Sequence, residues 1–176
     1  MNKHIKHIVL FVVAAALFGV VNLMIYKKEM TLQSGTLMLL ELAPVDPRSL
    51  MQGDYMALRY KIAQAIDEGS LPKDGALVVS VDDKSVATFK RLHVSGVPLA
   101  PGERLLRYRI RANGVRLGAE SFFFQEGHAR YYNGAKYGEL RVADSGDSVL
   151  VGLRGQDRER LGPPDKARTP DKEAMP

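Results

Sequence analysis

The chain has 176 residues, 25 lysines and arginines against 20 aspartates and glutamates, and no cysteine. Without thiols it can form no disulfide, thiolate metal site, iron–sulfur cluster or cysteine nucleophile. The formal charge of +5 is concentrated at Lys3, Lys6, Lys27 and Lys28, and from Glu29 onward the charges nearly cancel, which excludes the basic folded face of a nucleic-acid binder.

Residues 1–7 are a short basic N-terminus, and residues 8–26 read IVLFVVAAALFGVVNLMIY, without a charge. At about 1.5 Å per residue this run reaches about 28 Å, close to the thickness of a bilayer's hydrocarbon. Lysines bracket it, Tyr26 stands where an interfacial aromatic belongs, and it is apolar all round, unlike a core helix. The expectation is one uncleaved transmembrane helix, residues 8–26, in contact with the lipid bilayer. The alanines at 14–16 resemble a signal-peptide cleavage site, but too short an apolar stretch precedes them and strongly apolar residues follow. Two lysines on each side tie the positive-inside rule. The free amino terminus tips the balance to N-terminus inside, with the rest of the chain outside the cytoplasm.

A juxtamembrane linker is expected over 27–35, then one β-rich domain over 36–154. Residues 36–42 (TLMLLEL) suit a buried strand, and Pro44 and Pro47 force an extended connection. Over 54–60, Tyr55, Ala57 and Arg59 alternate with Met56, Leu58 and Tyr60. A short helix is predicted at 62–68, ending at Gly69. Three hairpins follow: 76–81 with 86–94, 105–111 with 115–117 around Asn113-Gly114, and 140–143 with 148–153. Between the last two lie Phe122, Phe123 and Phe124 and a predicted helix at 128–137, weakened by Gly134 and stopped by Gly138. Residues 155–176 are charged and contain prolines, and are expected to be a disordered tail. The fold class is mainly β with one or two short helices: a small antiparallel barrel or sandwich behind a single N-terminal transmembrane helix.

Gly53, Asp54, Tyr55, Leu58 and Tyr60 fill the pattern G-D-Y-x-x-L-x-Y. With Lys28-Glu29, the stretch PVDPRSL at 44–50, FFQEG at 123–127 and AKYGELRV at 135–142, the chain resembles the GDYXXLXY proteins. These are small membrane-anchored bacterial proteins, and the resemblance implies an anchor and an inner-membrane location but no activity. A weaker similarity is to type I signal peptidases. SLMQGD at 49–54 lines up with their nucleophile box, and Lys90-Arg91 mirrors their second box. Val45 then stands where the attacking serine belongs, and valine cannot be acylated.

Asp54 can cap a turn, and Tyr55, Leu58 and Tyr60 either pack or form a recognition surface of rigid amphipathic rings. Arg107, Arg109 and Arg111 recur at period two opposite Leu106, Tyr108 and Ile110. They form a solvated strand face or a candidate contact surface for an anionic partner. Glu126 and His128 flank Gly127, and helix-start capping with aromatic packing accounts for them better than proton exchange. No catalytic residue, cofactor or metal ligand is assigned. The function expected is a membrane-anchored, extracytoplasmic binding or accessory module with an envelope protein as partner. The alternative is a diverged, inactive signal-peptidase-like hydrolase.

Overall fold

The structure is a computed structural model that describes residues 3–43, 51–52, 55–66, 71–112 and 114–164. Helix α1 covers Lys3–Ser34. His4–Ser34 within it is long and apolar enough to cross a membrane, and none of its apolar stretch is buried against the domain. The linker expected at 27–35 is helical through Ser34, because KKEMTLQ holds good helix formers and no proline or glycine before Gly35. Thr31 and Ser34 turn their hydroxyls back onto the carbonyls of Lys27 and Met30.

The β part is mostly antiparallel and includes a sheet curled into a half-barrel. Strand β1 (Thr36–Glu41) pairs with β9 (Tyr137–Val142), which pairs with β10 (Ser148–Arg154). A second sheet runs in the order β5 (Ala87–Leu92), β4 (Asp74–Val81), β6 (Glu103–Arg111), β7 (Gly114–Arg116). The two sheets meet where Leu39 bridges Val86 and its N–H donates to Ser85 O at 2.7 Å. A third, smaller sheet is built from β2 (Met51–Gln52), β3 (Tyr55–Ala57) and β8 (Ser121–Phe123). It is joined to β1 through the Leu42–Tyr60 bridge and the Ala43 N–H donated to Arg59 O at 2.8 Å.

All three predicted hairpins pair as expected. In the first, Asp82 Oδ1 accepts the N–H groups of Lys84 and Val86 at 2.9 and 2.7 Å, closing the turn as an Asx side chain does. The second pairs Arg111 with Gly114, where φ of 103° explains the glycine. One core lies between the sheets, made of Met38, Leu40, Met56, Leu58, Tyr60, Leu77, Leu106, Leu140 and Leu153 among others.

Three expectations change at their ends. The helix predicted at 62–68 is Lys61–Gln64, with residues 67–70 outside the described set. The helix predicted at 128–137 is a single 3-10 turn, Ala129–Tyr132, without a side-chain cap, so Glu126 does not close it; Gly134 and the early start of β9 stop it from growing. The first residues of the tail expected from 155 fold back on the domain. Arg160 bridges Arg154, and Leu161 packs on the core with its N–H on Leu153 O at 2.9 Å. Leu161 is an apolar residue in a charged stretch, and this half-buried leucine anchors a short return. Residues 165–176 lie outside the described residues.

Helix α1 is joined to the domain without slack. Gly35 N–H donates to Thr31 O at 3.0 Å, Arg141 Nη1 to Gly35 O at 3.1 Å and Lys28 Nζ to Ser148 O at 3.2 Å. A Cβ on Gly35 would stand 2.3 Å from Thr31 O and 3.0 Å from Val142 N, both backbone atoms, so the close approach requires glycine.

Candidate functional site

The GDYXXLXY stretch divides into two rows, as strand alternation dictates. Met56, Leu58 and Tyr60 point inward and are 2 to 3 % exposed. Tyr60 donates its phenol to Ala119 O at 2.6 Å. Burial, with Glu120 nearby, pushes that phenol well above its usual range, so it remains a donor. Its ring lies where a Cβ on Gly138 would stand, 2.9 Å from the nearest ring carbon, which places tyrosine and glycine against each other across the core. Gly53 and Asp54 lie outside the described residues.

Tyr55, Ala57 and Arg59 form the outward row. Tyr55 stands directly opposite Phe123 on β8, with ring centroids 5.7 Å apart. Phe123 is 73 % exposed, while its neighbours Phe122 and Phe124 turn inward onto Tyr132, at 4.9 and 5.5 Å between centroids. A three-phenylalanine run in a strand must send its middle ring to the other face. In a water-facing sheet that ring has no core to enter.

Beyond Arg59 the outward row borders an open cleft of about 350 Å3, lined by Arg59, Tyr60, Gln64, Val115, Arg116 and Glu120 among others. The Glu120 carboxylate is committed to the backbone N–H groups of Leu117 and Gly118. Among the described residues neither Arg59 nor Arg116 has an ion-pair partner. Arg116 is the cross-strand partner of Arg109, so the arginine row of β6 continues through β7 to the cleft. Within that row Arg107 pairs with Asp147 and Arg109 with Asp74, each at 3.4 Å and exposed, while Arg111 has no ion partner among the described residues. The two separate candidate surfaces of the sequence, tyrosine motif and arginine row, thus meet at one edge of the molecule. Register made that join, and register across a hairpin was the only signal that could have revealed it.

Lys90 is exposed on β5, and Val45 and Ser49 lie outside the described residues. Among the described residues no three His, Asp or Glu side chains gather to hold a metal. His128 packs edge-on against Tyr131 at 5.5 Å, with Arg130 over the same ring at 4.9 Å.

No curated protein and no solved structure matches the chain, so the similarity to signal peptidases gains no support. The GDYXXLXY protein family model matches residues 17–153, a stretch that takes in the end of the apolar helix, the motif and all three sheets. The chain belongs to the GDYXXLXY family.

Proposed function

We propose that this protein is a single-pass, membrane-anchored binding module of the bacterial cell envelope. Its domain lies on the extracytoplasmic side of the inner membrane, in the periplasm, and it contacts an envelope protein through the outward row of its motif. The observation that carries this is Phe123, 73 % exposed beside Tyr55 on a sheet whose other aromatics are turned inward. Aromatic and arginine side chains are the groups that anchor protein interfaces, and this edge offers both, with Arg59 and Arg116 at its border. The partner surface it fits is acidic with an apolar centre. Arg107, Arg109 and Arg111 extend the same surface, with Arg111 the one of the three lacking an ion partner among the described residues.

The test places a photo-crosslinking phenylalanine analogue at position 123 of the full chain in its native membrane, with Thr88, exposed on β5, as the control position. The expected result is one discrete protein adduct at 123, absent at 88 and reduced by Arg59→Glu. No adduct at 123, or the same adducts at both positions, overturns the binding reading. Orientation is tested separately. The natural chain has no cysteine, so Ser95→Cys, at an exposed site, gives a single thiol. A membrane-impermeant maleimide should label it in cells whose outer barrier is opened; labelling only after the inner membrane is broken reverses the topology.

A further inference from the structure

A second cleft, of about 410 Å3, opens where α1 meets the domain. One wall is the end of α1, with Tyr26, Lys27 and Ser34. The other is the turn between β9 and β10, with Asp144, Ser145 and Asp147. Thr36 stands opposite Val142, so this turn is the part of the domain that overhangs the last turns of the helix. The walls are fixed to each other by the Lys28–Ser148 and Arg141–Gly35 hydrogen bonds.

The position of this cleft along the helix restricts what can fill it. Tyr26 ends the apolar run, and from Lys27 to Ser34 the helix rises about 10 Å. The headgroup layer of one leaflet is about 5–8 Å deep beyond the hydrocarbon. With α1 across a bilayer, the cleft therefore lies at headgroup level. Its charges restrict the occupant further, since a cation faces two carboxylates. Asp147 is held by Arg107 at 3.4 Å and Ser145 Oγ at 3.0 Å, whereas Asp144 is exposed and has no ion partner among the described residues. A purely anionic headgroup meets Lys27 but is repelled by Asp144, the carboxylate left without a cation among the described residues. A choline headgroup carries the needed positive charge but no N–H to donate. An ethanolamine headgroup has a phosphate for the lysine and a primary ammonium, with three donors, for the carboxylate.

We propose that this cleft seats the headgroup of an aminophospholipid, its phosphate toward Lys27 and its primary ammonium toward Asp144. The inference rests on the reading that α1 crosses the bilayer. The two are tested apart: alkaline carbonate extraction reports the anchor, and lipid retention reports the cleft. The full chain, released in mild detergent, is titrated with dioleoyl phosphatidylethanolamine, phosphatidylcholine or phosphatidylglycerol, and bound lipid is counted by native mass spectrometry. The expected result is ethanolamine lipid retained about tenfold better than choline lipid, the scale of one charge-assisted hydrogen bond. Asp144→Asn should remove that preference without weakening the glycerol lipid, and Lys27→Gln should weaken all three. Equal retention of ethanolamine and choline lipids, or an unchanged preference in Asp144→Asn, overturns this proposal while a carbonate-resistant protein leaves the anchor standing. A protein that carbonate extracts takes down both.

Discussion

The sheet β1–β9–β10 and the sheet β2–β3–β8 lie in one small domain but close their surfaces differently. The first binds its polar side chains to each other and to neighbouring backbone of the domain. Glu139 is 6 % exposed and accepts Arg154 Nε at 2.8 Å, Arg154 Nη1 donates to Arg158 O at 2.9 Å, and Ser148 Oγ donates to Leu117 O at 3.0 Å. The Glu139 hydrogen bond also holds the Arg154 guanidinium above its usual range. The second sheet is two or three residues per strand, buries one row and leaves the other in water. A short strand contributes little to a core, yet it can hold an aromatic side chain on rigid backbone. The first sheet ties the domain to its helix, and the second presents a surface.

The contrast breaks most visibly at Leu58, 3 % exposed on the inward row. Leu58→Ala is expected to cost about 2–5 kcal/mol, the usual range for truncating a buried leucine, measured by urea unfolding of the full chain in detergent. A loss under about 0.5 kcal/mol, the scale of surface substitutions, would move the whole motif to the surface and cancel the two-row description.

Next in size is Arg154→Met, which keeps bulk but leaves Glu139 nearly buried without its cation. A loss of about 3 kcal/mol is expected at neutral pH, from the scale of broken buried pairs. Much of that loss should vanish in the double variant Glu139→Gln/Arg154→Met, which removes the unpaired charge. A double variant no better than the single would show that Arg154 acts by packing rather than by charge.

Gly35→Ala tests the junction with a smaller change. Its new methyl meets backbone on two sides, and overpacking of this kind costs about 1–3 kcal/mol. The helix must shift at its end, so the Lys28–Ser148 contact should loosen and limited proteolysis near residue 35 should accelerate. Unchanged proteolysis would mean that the domain hangs from α1 more loosely than the hydrogen bonds at Lys28 and Arg141 imply.

How much of this was legible beforehand follows from which signals are local. The apolar run at 8–26, the three hairpins and the division of 55–60 into two rows are statements about period and turn chemistry, and a sequence carries those directly, whereas which row faces the core came from the structure. The helical extension to Ser34 was hidden because polar residues after Tyr26 look like a linker until one notes that none of them breaks a helix. The return of residues 155–161 was hidden because a single leucine, Leu161, decides it. The candidate site was half legible. Arg59 shares a row with Tyr55, and the Asn113-Gly114 hairpin sets Arg116 beside the row Arg107, Arg109, Arg111, but Phe123 was only one ring in a run of three, and the meeting of Arg59 with Arg116 at one cleft depends on how distant strands pack, which no local pattern encodes.

The smallest expected effect on stability is the most informative for function. Phe123→Ser removes a ring that is 73 % exposed and pairs with the Tyr55 ring, so thermal unfolding followed by circular dichroism should move by less than about 0.5 kcal/mol. If the outward row is an interface, the same substitution removes its central aromatic, and hot-spot aromatics cost 2 kcal/mol or more of binding, about thirtyfold in affinity. Stability and binding should therefore separate at position 123, while at Leu58 they fall together because loss of the fold takes the surface with it. A Phe123→Ser protein that unfolds several kcal/mol early would make the Tyr55–Phe123 pair a structural clasp closing a small sheet. A protein of normal stability and undiminished partner binding would instead leave the motif with only its inward row to explain it.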